Sequence, residues 1–366
     1  MDFTFSDEQI MLRDGARRFL ADECATDRVR EIMESEAGYD RPLWKGMAEQ
    51  GWQAMHIPEV YGGAGFTFAE TAILLQEMGR ALAPVPYLSS AVLAAEALLA
   101  GANEQQKAHW LPAVASGEVI ATLAVAETSG GWDEASVKAE AKEDGSSYAL
   151  TGTKSFVTAG HFADLIIVAA RTGGEVGLFA VEGDSVQIER LVALDSTRTL
   201  ASVDLAASPA ARLEGADWQT VERLYDVART AIAAEQVGGL ERVLEMAVEY
   251  AGERKQFGRP IGSFQAIKHM CADMLVGLES ARSAAGYATW ALASGSDDLG
   301  VAAPMAKAYC SEAFFKAAGD NIQVHGGIGF TWEHDAHLFF KRAKSTELMF
   351  GAPDRQRRVL ANRVGL

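Results

Sequence analysis

Cysteine is scarce in this 366-residue chain: Cys24, Cys271 and Cys310 are the only three, and their spacings build neither a disulfide framework nor a CxxC-type metal site. The shortage excludes the small disulfide-stapled class and predicts a cytoplasmic protein in a reducing compartment, with no bound metal. Basic charge is also in deficit, with 33 Lys and Arg against 50 Asp and Glu for a formal net charge of -17. So acidic a chain argues against nucleic-acid binding and against docking on an anionic membrane, since both need basic groups over many contacts. No apolar run reaches the roughly 18–20 residues of a membrane span, because Glu, Gln, Lys and Gly interrupt the alanine-rich stretches. The opening "MDFTFSDEQIMLRDGARRFL" lacks the basic and apolar regions of a secretory signal; Ser6 reads as a helix cap, and no export is expected.

Several catalytic signatures are missing as well. There is no G-x-S-x-G, no H-E-x-x-H, no Walker A pattern, and no G-x-G-x-x-G after a strand. "YGGAGF" at 61–66 is glycine-rich but lies between helical segments, so it reads as a loop. Hydrolase and nicotinamide-dependent chemistries fall away.

What is present is an ordinary globular composition, 49% hydrophobic and 23% charged, long enough for several substructures. Residues 1–118 carry apolar side chains at three- and four-residue spacing, predicting an N-terminal helical domain of five or six helices, one of them opened by Asn103 and Gln106 and stopped by Gly117. Residues 119–215 change to short alternating or β-branched runs such as "VIATLAVAE", "YALTGTKSFVT", "DLIIVAA" and "VGLFAVE". With hairpin turns such as "EDGSS" and no helices long enough for crossovers, they predict a mostly antiparallel middle β-domain. Residues 216–366 return to long helical segments and predict a C-terminal helical bundle. The nearest thing to a linker is "AASPAARLEGAD", 206–217.

Two corners carry chemistry. "ERKQFGRPIGSFQAIKH", 253–269, sets Arg254, Lys255, Arg259 and Lys268 together in an acidic chain. It reads as a helix ending at Phe257, a Gly258–Arg259–Pro260 break and a new helix capped by Ser263. Arg254 there could grip a phosphate in bidentate fashion, helped by the helix N-terminus, or the cations could simply complement a helix dipole. The second corner, "NIQVHGGIGF", follows a helix with Gly326, Gly327 and Gly329, which allow close backbone approach to a flat ligand or serve as a plain C-terminal cap. His325 has no second His or Cys at metal-ligand spacing.

Taken with "IPEVYGGAGF", "GTKSFVTAG", "ERKQFGRPIGSFQAIKHMCADM" and "QVHGGIGFTWEHDAHLFFKRAK", the order of helices, β-domain and bundle resembles the acyl-CoA dehydrogenase family over nearly the whole chain. The resemblance implies a mainly α fold with a central antiparallel, barrel-like β-domain and a C-terminal four-helix bundle. It also implies an FAD enzyme that oxidises the Cα–Cβ bond of an acyl-CoA substrate and passes electrons to an acceptor protein. In the family the flavin ring lies on one subunit while a neighbour grips the pyrophosphate and adenine. Carried over, Arg254, Gln256, Phe257, Gln323, Gly326 and Gly327 match the gripping segments, Val125, Phe156 and Thr158 match the wall of the flavin ring, and Arg229 matches the substrate side.

The departures from the family pattern are equally specific. "VAETSGGWDEAS" puts Ala126 where a hydroxyl is usual and Trp132 where a small residue stands near the pyrophosphate. The usual base, a Glu before Gly-Thr near the C-terminus, aligns with Phe350, with Ala352 at the Thr; the alternative base position, before Arg229, holds Ala228. Glu347 and Glu235 are the remaining carboxylates near those places. The pattern, including "MGRALAPVPYL", resembles the shorter, base-lacking subunit of heterotetrameric bacterial enzymes acting on bulky steroid-derived CoA thioesters. The expectation is a subunit needing a homologous base-bearing partner. The alternatives are a self-sufficient homo-oligomer with a relocated base, or a non-catalytic flavin- or CoA-binding scaffold.

Overall fold

The computed structural model of the chain describes residues 5–145 and 147–366. Ser146, in the "EDGSS" turn, lies outside the described residues, as do residues 1–4. The chain packs as two compact units: one contains residues up to Val29, Phe68–Ala83 and Arg229–Leu366; the other contains Arg30–Thr67 and Pro84–Ala228.

The second unit holds the sheet and the helices α3 (Arg41–Glu49), α5 (Ala95–Gly101) and α6 (Glu104–Ala115), while α2 (Thr26–Glu34) runs across the division at Arg30. Its strands are β1 (Ala121–Ala124), β2 (Glu140–Asp144), β3 (Ser147–Thr158), β4 (Leu165–Thr172), β5 (Glu175–Glu182), β6 (Gln187–Leu191) and β7 (Leu200–Leu213). β4, β2, β3, β7 and β5 pair in a ring that closes through β4–β5, while β1 adds to β4 and β6 to β7. Pairings are antiparallel except β1–β4 and the single β2–β4 bridge Glu140–Arg171, so the barrel-like, mostly antiparallel expectation holds. Closure removes free edges, and the small interior is filled by Leu150, Ile166, Val168, Phe179, Val203 and Leu205, each at most 1% exposed.

β7 corrects the linker reading. "AASPAARLEGAD" is strand for most of its length: Pro209 faces Ala149 on β3, and Ala207, at φ 58, makes the one-residue bulge that keeps Ser208 and Leu205 inward. Alanine, serine and proline resemble a linker in composition, yet the ladder tolerates them where a bulge restores register.

The first unit is helical. α1 (Asp7–Glu23) opens on a Ser6–Gln9 capping box and packs on α4 (Phe68–Ala81). α7 (Trp218–Glu253), whose residues from Arg229 onward belong to this unit, is followed by α8 (Gln265–Ala293), α9 (Leu299–His325), α10 (Ala336–Leu348) and α11 (Pro353–Arg363). α8, α10 and α11 each lie against α9, giving the C-terminal bundle. Where α4 meets α7, glycines permit close approach: a Cβ at Gly238 would lie 1.7 Å from the Gln76 carbonyl oxygen, and one at Gly79 would lie 2.1 Å from that of Glu235.

Candidate functional site

The basic corner differs from the sequence reading in two ways. α7 ends at Glu253 rather than Phe257: the Arg254 amide makes a last helical bond to the Tyr250 carbonyl, and the chain then forms a two-strand hairpin pairing Lys255–Gln256 with Arg259–Pro260. Phe257 at φ 53 and Gly258 at φ 77 occupy its two turn positions, the left-handed pair that a tight hairpin turn requires. Ser263 is not the cap of α8. Residues 261–263 form a short 3-10 turn, Phe264 precedes the first helical residue, and the Ser263 hydroxyl has no hydrogen-bond partner among the described residues. Arg259 instead stacks its guanidinium over the Phe264 ring, 4.2 Å from the centroid.

The hairpin and the glycine corner, distant in sequence, come together in the fold. Tyr250, in the last turn of α7, stacks on His325, the last residue of α9, with ring centroids 4.4 Å apart and planes 27° apart. Arg254, Gln256, Phe257, Gln323, Gly326 and Gly327 are all exposed, Phe257 at 92%. Gly326 ends α9 at φ 62, and among the described residues nothing beyond the chain neighbours lies within 4 Å of a Cβ built on Gly326, Gly327 or Gly258. The corner therefore presents a guanidinium, a carboxamide and bare backbone to open space. That donor set and clearance fit the anionic, flat parts of a dinucleotide.

On the β-domain, Val125 follows β1 and Thr158 ends β3, with the Thr122 hydroxyl donating to the Thr158 carbonyl at 2.6 Å. Phe156, at φ 58, sits on a bulge between the Lys154 and Val157 pairings and is 55% exposed. Sequence reasoning missed what secures this edge. The Lys154 ammonium, fully buried, donates to the Val125 carbonyl at 3.1 Å and to Glu127 Oε1 at 2.7 Å. The same oxygen accepts from the Lys138 and Ala139 amides at 2.8 and 2.9 Å, and the Ser155 amide donates to the Ala126 carbonyl. The partners lie far apart in sequence, and a lysine in a β-run gives no local signal of burial. Trp132, on the departing turn, lies edge-on to Tyr225 at 5.8 Å.

Phe350, which the resemblance aligns with the base position, has φ 55 and shares a tight turn with Gly351, and both carbonyls accept from Gln356 Nε2. Ala228 is fully buried and Arg229 is 3% exposed on α7. Glu347 pairs with Lys344 at 2.7 Å, and its carbonyl accepts from the buried Lys307 ammonium at 3.0 Å. Glu235 is paired with Arg342 at 2.8 Å, both nearly inaccessible. Each of these two carboxylates is thus engaged with a cation.

Burial shifts two lysines. Lys307 is pushed down to about 7 by desolvation, with the nearby Arg229 charge adding and Glu347 and Cys310 opposing. Lys154 falls to about 8 because burial outweighs its bond to Glu127. Burial alone raises the Glu127 carboxyl, but Lys154 and the two amides hold it below its ordinary value. In the unfolded chain both lysines keep their protons up to 10.5, so from pH 7 the unfolded state binds more protons and stability rises with pH. Cys310, raised to about 12 from 9 by burial, acts in the opposite direction above pH 9. Urea midpoints should therefore increase from pH 7 to 9 at constant m-value, and Lys307→Met should flatten the slope; a midpoint falling over that window would contradict the assignment.

One unit holds a closed, barrel-like sheet and the other a bundle of long helices that carries the exposed guanidinium-and-glycine corner, the fold class that the family resemblance implies. Family models for the acyl-CoA dehydrogenase N-terminal, middle and C-terminal domains match residues 6–118, 122–206 and 215–365. The chain belongs to the acyl-CoA dehydrogenase family, and the family implies FAD as cofactor and an oxidoreductase activity. Among its relatives, acyl-CoA dehydrogenase IpdE2 of Mycobacterium tuberculosis is 35% identical over 351 residues, covering 95% of this chain and 94% of that protein. The ChsE4–ChsE5 complex of Mycobacterium tuberculosis includes a chain that superposes with a TM-score of 0.92 at 30% identity, covering 100% of this chain and 99% of the other. A variant described as the Tcur3481–Tcur3483 steroid ACAD superposes at 0.90 and 31% identity over 98% of each chain. Among the described residues no helix is long and apolar enough to cross a membrane.

Proposed function

We propose that this chain is the base-lacking subunit of a two-chain acyl-CoA dehydrogenase that desaturates a bulky, steroid-derived acyl-CoA thioester in the cytoplasm and passes electrons to an electron-transferring flavoprotein. The reading takes 1–118, 119–215 and 216–366 as its domains. One observation carries it: the residues matched to the dinucleotide grip are intact and face outward, whereas Phe350 and Ala228 occupy both base positions. When bound, FAD supplies the acceptor for the β-hydride. Arg254, Gln256, Phe257, Gln323, Gly326 and Gly327 hold the pyrophosphate and adenine of a flavin carried by the partner chain. Val125, Phe156 and Thr158 are matched to the wall of the flavin ring, and Arg229 to the substrate side, by the family resemblance alone. The α-proton leaves to a carboxylate of the partner, since a phenyl ring cannot accept it. The relatives whose names mention a two-chain complex or a steroid enzyme support both the partner and the substrate class.

Arg254→Ala tests the grip. Loss of a charge-assisted contact of about 1.5–3 kcal/mol should release FAD from the co-purified assembly on dialysis. Undiminished flavin content would refute the assignment.

A further inference from the structure

The proposed grip uses two segments at the ends of different long helices, and helix ends fray unless something holds them. The structure supplies a holding element that the family motifs do not name. Tyr250 lies one turn before Arg254 and accepts its amide proton, while its ring lies flat on His325, one residue before Gly326. His325 is 6% exposed. Its Nδ1–H donates to the Asn321 carbonyl at 2.8 Å, which fixes both tautomer and ring plane. His334 lies tilted against it, 4.4 Å away between centroids and 53° between planes, and its own Nδ1 accepts from the Ala336 amide. Gly329 must lack a side chain here, because a Cβ would meet the His325 Cβ at 2.8 Å and the Ile322 carbonyl oxygen at 2.9 Å. Burial keeps the imidazole below its ordinary pKa, so it packs as a neutral ring.

From this geometry we infer that Tyr250 and His325 are positioning residues: their stack sets the spacing between Arg254 and the Gly326–Gly327 backbone, so that both reach one dinucleotide at once. The inference rests on the grip reading above. The two rings touch the gripping segments rather than the ligand, and act through them. Aromatic pairing of this kind adds to simple burial, and a phenyl ring at 250 can reproduce it, whereas a methyl group cannot.

The test is a double-mutant cycle on the purified flavin-bearing assembly, reading the FAD dissociation constant by equilibrium dialysis, well below the unfolding temperature. Tyr250→Ala and His325→Ala should each weaken FAD about tenfold, and Tyr250→Phe should stay within about twofold of wild type. Arg254→Ala should cost about tenfold alone but under about twofold on top of Tyr250→Ala, because coupled residues are not additive. A purely packing role would give additive losses, and additivity or an unchanged constant in Tyr250→Ala overturns the inference. If Tyr250→Ala does not fold, Tyr250→Leu, which fills space without a flat ring, serves the same comparison. Arg254→Ala without effect in the wild-type background would sink the grip reading itself; a loss there beside a neutral Tyr250→Ala would sink only the positioning role.

Discussion

Glu235→Gln and Arg342→Met should each lower folding stability by about 3–5 kcal/mol, since each removes one charge from a buried ion pair and leaves the other charge buried. Glu235 and Arg342 are 4% and 2% exposed at the side chain and meet at 2.8 Å. Solvent cannot replace a missing partner at such depth. Replacing both, as Glu235→Met with Arg342→Met, should recover most of the loss, because an apolar pair of similar volume removes both desolvation penalties. Chemical denaturation of the four proteins measures the effect. The experiment also decides what Glu235 is for. A structural ion pair predicts a lower denaturation midpoint with unchanged flavin reduction per folded molecule, whereas a relocated catalytic base would give the reverse.

The second large effect concerns turnover. Purified alone and given FAD, the chain should not bleach its flavin when mixed anaerobically with acyl-CoA thioesters, while the assembly with a base-bearing homologous chain should do so within a catalytic cycle. A positioned general base contributes about 10²–10⁴-fold, and on the proposed alignment both positions that would hold it are apolar: Phe350 and Ala228. Of the carboxylates nearest in sequence, Glu347 pairs with Lys344 at 2.7 Å and Glu235 with Arg342 at 2.8 Å. A base must come within about 3 Å of the proton it removes, which for Glu235 would mean breaking a buried ion pair. Full-rate bleaching by the lone chain would return the homo-oligomeric reading to first place.

Where local chemistry decided the structure, the sequence was readable. Ser6 caps its helix as read, within a box completed by Gln9, and the Asn103–Gln106 signal forms a full capping box, while the short apolar, β-branched runs "DLIIVAA" and "VGLFAVE" gave paired antiparallel strands. Where tertiary pairing decided, it was not. The end of α7 moved from Phe257 to Glu253 because a hairpin outcompeted another helical turn, with a phenylalanine in a left-handed position that propensity does not favour. The 206–217 stretch became strand because β3 and β5 offered ladders to it. Of the candidate site, the two segments assigned to the proposed grip were legible as motifs. Their juxtaposition was not, because it depends on Tyr250 meeting His325 across two helices, and the Lys154–Glu127 pin depends on contacts that only barrel closure creates.

The most direct measurement is the structure of the flavin-bearing assembly with a substrate analogue bound. The account predicts Arg254, Gln323 and Gly326 of this chain against the pyrophosphate and adenine of an FAD whose ring, and whose base, belong to the partner chain. A carboxylate of this chain poised beside the α-carbon over its own flavin ring would contradict it.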